Sequence, residues 1–162
     1  YAFRKCRYVC MTDGANVLGE SVKPRIILDT KPLMKLFAKE EGWEAVQKIL
    51  SKVEVDEIKG TISVVTLTEV YYKYLQEKRP DLAKTRTEEL RYAIYLRKLE
   101  IDEEVAVKAG EFKGKYNVSL ADAFIAASAY FEGLTIISDD ADFKRIPEVK
   151  TLTEKELISH LP

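Results

Sequence analysis

Histidine is almost missing from this 162-residue chain: it has one, His160, near the end. A lone histidine there leaves Ser-His-Asp triads, Cys-His pairs and histidine-rich zinc sites without their central residue. Cysteine is nearly as scarce. Cys6 and Cys10 would need two further soft ligands to hold a metal, and the chain offers none. No apolar run approaches the roughly 20 residues that span a bilayer. The basic N-terminal stretch lacks the continuous apolar core of a signal peptide. The expectation is a cytoplasmic protein with no membrane partner. The formal net charge of -1 gives no whole-protein field for polyanions, so any nucleic-acid contact must use local patches. Whatever chemistry the chain performs is left to carboxylates.

What is present suits one folded unit. Hydrophobic residues at 46% and charged residues at 33% are ordinary for a globular domain. A chain of this length buries roughly 70% of its unfolded surface in a single core. The organising stretch is 119–143, SLADAFIAASAYFEGLTIISDDADF. Its helix is apolar on nearly every side, as a buried helix must be. Gly133 stops it, a β-branched strand follows over 134–138, and a turn crowded with Asp139, Asp140 and Asp142 ends the stretch. Before Glu132 the helix carries one charge, Asp122, in its first turn.

Residues 1–24 have no clear period and read as an N-terminal extension; 25–162 read as the folded domain. Residues 25–29 form a short strand that is apolar without alternation, which fits burial on both faces. Asp29 stands at its tip, and Pro32 sits where a first helical turn tolerates proline. A helix over 43–55 follows, then a strand over 61–65 running into Thr66-Leu67-Thr68-Glu69 and a helix to about 78. Arg79-Pro80-Asp81 breaks the chain, and a long helix reaches about 98. A short strand over 99–101, a helix capped by Asp102 through 116, a last strand over 149–152 and a helix opened by Thr153 and Glu156 complete the pattern. Strands alternating with helices predict an α/β fold with a mainly parallel sheet flanked by helices.

In such sheets ligands bind beyond the carboxyl ends of the strands. Asp29, Glu69 and Asp140 fall at or just after three of those ends, and Asp122 opens the helix that feeds the 134–138 strand. Each acid alone has a plainer role. Thr66-x-x-Glu69 and Ser119-x-x-Asp122 fit the capping box, and Asp29 or Asp139 can cap a turn. Together they are harder to dismiss. Two unit charges about 4 Å apart repel by roughly 4 kcal/mol at a surface-like dielectric. Four gathered carboxylates therefore need a cation or bound protons. All-oxygen ligation selects Mg²⁺ or Mn²⁺, and such ions activate water and steady the leaving oxygen in phosphodiester cleavage.

Asp29-Thr30 after a strand, Thr66-Leu67-Thr68-Glu69-Val70, the block from Ser119 to Ala127 and Ser138-Asp139-Asp140-Ala141-Asp142-Phe143 together resemble the PIN-domain family, and within it the small VapC-type toxin ribonucleases. The resemblance covers about residue 25 to the end, in the family's order. It implies a metal-dependent endonuclease acting on single-stranded RNA. Asp29, Glu69, Asp122 and Asp140 match the family's acidic residues, and Asp142 matches a position that is sometimes a supporting ligand. Thr30 and Ser138 match the small hydroxyl residues beside the acids; Ser138 stands where many relatives have threonine. Lys31 replaces a common small polar residue. The resemblance also implies a homodimer through the early helices and an antitoxin protein as partner.

For RNA phosphates, Lys113 and Lys115 precede the organising helix, and Lys115 is the candidate taken forward. Two other readings differ in class. One is a PIN-like module that binds RNA or protein without cutting; the loss of an acid would favour it, and none is lost. The other is a phosphatase or phospho-acceptor protein, which needs a lysine from a later strand end. Lys144, after Phe143 in the turn, is not placed for that.

Overall fold

The computed structural model of the protein describes residues 22–161. Their order is β1 (Arg25–Leu28), α1 (Thr30–Ala38), α2 (Trp43–Glu54), β2 (Lys59–Ser63), α3 (Val64–Gln76), α4 (Pro80–Tyr92), β3 (Arg97–Leu99), α5 (Glu103–Tyr116), α6 (Leu120–Glu132), β4 (Thr135–Ile137), a 3₁₀ turn (Ala141–Arg145), β5 (Thr151–Leu152) and α7 (Glu154–His160). The proposed extension falls mostly on residues 1–21, with both cysteines, and lies outside the described residues.

The five strands form one parallel sheet in the order β3-β2-β1-β4-β5. The expected α/β architecture is therefore present. From β1 the chain steps outward to β2 and β3, then returns to place β4 on β1's other side. β1 and β4 thus flank the point where strand order reverses, and there the loops leaving the carboxyl ends part to form a crevice. The pairing Leu28 with Ile137 continues to the rim, where the Asp29 N–H donates to the Ile137 carbonyl at 3.2 Å.

Period-two alternation splits the core between the two faces of the sheet. Ile27 and Ile136 pack with Phe112 of α5 and Ala123, Ile125, Ala126 and Ala127 of α6. Ile26, Leu28, Ile62 and Ile137 pack with Leu33, Ile49, Val70, Leu90 and Leu157 from the other helices. The alanines of α6 let that helix lie close to the sheet, and this sets the depth of Asp122 in its first turn. Gly133 closes α6 at φ 62, where a side chain would be strained. Gly60 in β2 is a close approach: a Cβ there would lie 2.6 Å from Val53 Cγ1.

Two sequence boundaries shift. β2 ends at Ser63, whose hydroxyl accepts the Val65 N–H and caps α3. Thr66 is thus inside the helix, no capping box joins it to Glu69, and Glu69 lies more than a turn beyond the strand end. β-branched Val64 and Val65 read as strand because side-chain preference cannot see a cap three residues upstream of Thr66. α4 stops at Tyr92 and β3 runs Arg97–Leu99, two residues earlier than expected.

Candidate active site

Asp29 leaves β1 as the N-cap of α1. Its Oδ1 accepts the Thr30 N–H at 2.6 Å and its Oδ2 accepts the Ser138 hydroxyl at 2.7 Å. The capping role is real, but it uses only one carboxylate oxygen. Ser138, just past β4, ties the two central strand ends together. Its Oγ also accepts the Asp140 N–H at 3.0 Å, and Asp140 Oδ1 accepts the Asp142 N–H at 3.0 Å. Thr30 Oγ1 donates to Glu69 Oε2 at 2.6 Å, joining α1 to α3. Both predicted hydroxyl residues thus hold acids from separate segments, and Asp29, Thr30, Glu69 and Ser138 are all buried.

Asp122 is half-buried. Its Oδ2 accepts the Ser119 hydroxyl at 2.7 Å, while Ser119 Oγ accepts the Asp122 N–H at 3.1 Å. The acids feel one another. Burial, above all, pushes the Asp29 carboxyl up to about 7, opposed by the Ser138 hydrogen bond and reinforced by the charges of Asp122 and Glu69. Asp122 is also raised, first by burial and then, against the Ser119 hydrogen bond, by Asp140, Glu69 and Asp142.

The cations of this region go to neighbouring residues. Lys31 and Lys35 pair with Asp139, and Arg145 pairs with Asp142. Among the described residues, Asp29, Glu69, Asp122 and Asp140 join no ion pair. Four oxygen-donor carboxylates without a protein cation fit Mg²⁺ or Mn²⁺ in donor chemistry. Among the described residues no three His, Cys, Asp or Glu side chains stand close enough to share one ion. Asp29, Glu69 and Asp122 each accept a hydrogen bond from a hydroxyl, which leaves further lone pairs on each carboxylate for a cation.

Lys115 is not directed at these acids. Its ammonium lies 3.5 Å from Glu148 Oε1 and over the Tyr116 ring, and Lys113 donates to the Val118 carbonyl. The cations at the rim are instead Lys31, Lys35 and Arg145. The i,i+4 spacing of Lys31 and Lys35 was the available signal, since it puts both on one face of α1.

A family model for the PIN domain matches residues 26–149. Ribonuclease VapC4 of Mycobacterium tuberculosis is 33% identical over 97 residues, covering 57% of this chain and 75% of that protein. The VapBC structure from Salmonella typhimurium, bound to DNA, has a TM-score of 0.63 at 21% identity, covering 82% of this chain and 99% of its own. FitAcB from Neisseria gonorrhoeae has a TM-score of 0.63 at 22% identity, covering 84% and 99%. With the family model spanning more than half of the sequence and Ribonuclease VapC4 covered to 75%, the chain belongs to the PIN-domain family.

Proposed function

We propose that the protein is a VapC-type toxin ribonuclease that hydrolyses RNA phosphodiester bonds with Mg²⁺ or Mn²⁺ held by Asp29, Glu69, Asp122 and Asp140, Asp142 supporting. The observation that carries this reading is Asp29: a carboxylate only 4% exposed, at the strand-order reversal, within the field of Asp122 and Glu69, and in no ion pair among the described residues. Burying an unpaired charge is costly, so such a group marks a site where a cation or a proton belongs. Ser138 and the Thr30 amide fix the orientation of Asp29. Thr30 orients Glu69, and Ser119 orients Asp122. When bound, the divalent ion supplies Lewis-acid polarisation of the phosphodiester and activation of water. Asp29, with its raised proton affinity, would hold its proton while the site is empty and would give it up to water on ligating a cation.

On the same reading a second copy docks on the exposed Tyr71, Tyr72 and Leu75 of α3, the two tyrosines being suited to interfaces. An antitoxin protein is its partner, as in the toxin–antitoxin complexes of similar fold, and the cytoplasm is where it meets RNA. A silent RNA- or protein-binding module is the second reading. It draws support from the hydroxyl partners that already occupy three of the acids. A mixed-sequence single-stranded RNA incubated with Mg²⁺ or Mn²⁺ separates them. The nuclease reading expects cleavage by the wild type that EDTA and Asp122→Asn both abolish. Intact RNA, together with no metal-induced rise in Tm, overturns it.

A further inference from the structure

We propose that Lys31 is a phosphate-binding residue of this site, its ammonium held at the rim by Asp139 until a substrate phosphate replaces that partner. The inference rests on the nuclease reading for its substrate and on local geometry for the residue. Four acids at one rim repel a polyanion, so a cation beside them must offset the approach of RNA. Lys31 follows Asp29-Thr30 directly, in the first turn of α1. Its Nζ lies 3.1 Å from Asp139 Oδ1 and its side chain is 48% exposed. A lysine ammonium is charged at neutral pH, and the Asp139 that holds this one directly precedes Asp140 in the chain.

Lys35, one turn on, is built differently. Its side chain is only 13% exposed and it bridges the other oxygen of Asp139 and Glu154 Oε1, the latter at 2.5 Å, with Glu154 itself buried. Lys35 is therefore committed to joining α1, α7 and the loop after β4. Among the described residues Lys31 has one partner; it sits half in water and leaves Asp139 still paired with Lys35 when it swings away. Exposed pairs of this kind are weak, so exchanging the Asp139 carboxylate for a phosphate oxygen costs little. Arg145 is less free, being tied to both Asp142 and the Asn117 carbonyl.

The test compares wild type, Lys31→Gln and Lys31→Arg on a labelled mixed-sequence single-stranded RNA. Cleavage is followed in Mg²⁺ or Mn²⁺ and binding by anisotropy in EDTA, each across a KCl series. Lys31→Gln is expected to weaken KM and Kd about fivefold and to flatten the slope of log Kd against log[KCl] by about 0.7, one phosphate contact on a single strand. Lys31→Arg restores both. A purely structural Lys31 would lower Tm without moving the salt slope. Unchanged Kd and slope in Lys31→Gln overturn the proposal, as does a wild type that neither binds nor cuts. A wild type that binds with the expected Lys31 dependence but does not cut keeps Lys31 as a phosphate contact and removes the nuclease reading.

Discussion

Replacing Asp29 by asparagine tests directly whether the centre of this site is a carboxylate buried against its preference. Its carboxyl is lifted from an ordinary 3.8 to about 7 by burial first, with Asp122 and Glu69 adding to it. The native state thus holds this proton more tightly than the unfolded chain. Below 3.8 both states are protonated and Asp29 costs nothing. As pH rises from 3.8 through 7 the unfolded chain ionises first, and stability falls. Between pH 5 and 8 that loss amounts to about 2–3 kcal/mol, at 1.36 kcal/mol per pH unit of displacement. Asparagine keeps the cap, since its Oδ1 still accepts the Thr30 N–H, but carries no charge. In EDTA, Asp29→Asn should therefore gain on the wild type as pH rises from 5 to 8, by about 5–10 °C in Tm for a chain of this size. Titrating groups far from the site move both proteins alike, so the difference reports Asp29 together with the acids coupled to it. Adding Mg²⁺ at about 100 times its Kd should return about 2.7 kcal/mol to the wild type and little to the variant. A Tm difference that is flat with pH, or that turns against the variant at pH 8, would refute the reasoning.

Three further outcomes follow from packing and hydrogen bonds. Lys35→Met leaves Glu154 buried without its partner and should cost about 3–5 kcal/mol by urea denaturation. Gly60→Ala forces a methyl group against Val53 and should cost about 1–3 kcal/mol, with Val53→Ala recovering part of it in the double variant. Thr30→Val removes the hydroxyl donor to Glu69 and should cost about 1–3 kcal/mol in EDTA; unchanged stability would mean that Glu69 finds another donor.

The α/β class, most element positions and the strand-end placement of Asp29 were legible in the sequence, since these depend on short-range patterning, capping and the unbroken apolar runs of buried strands. Through its resemblance to the PIN-domain family it also marked Thr30 and Ser138 as neighbours of the acids. It did not reveal that Ser63, not Thr66, begins α3, because both residue types cap helices and the backbone angles choose between them. Nor did it separate Lys31 and Lys35 from the other lysines. Lys115 looked well placed beside the organising helix, yet it turns to Glu148, whereas two α1 lysines meet Asp139, more than a hundred residues away. The packing of distant segments alone settled that Ser138 holds Asp29 and that Lys31 and Lys35 reach Asp139. Those pairings depend on β4 lying beside β1, and no local pattern in either segment encodes that strand order.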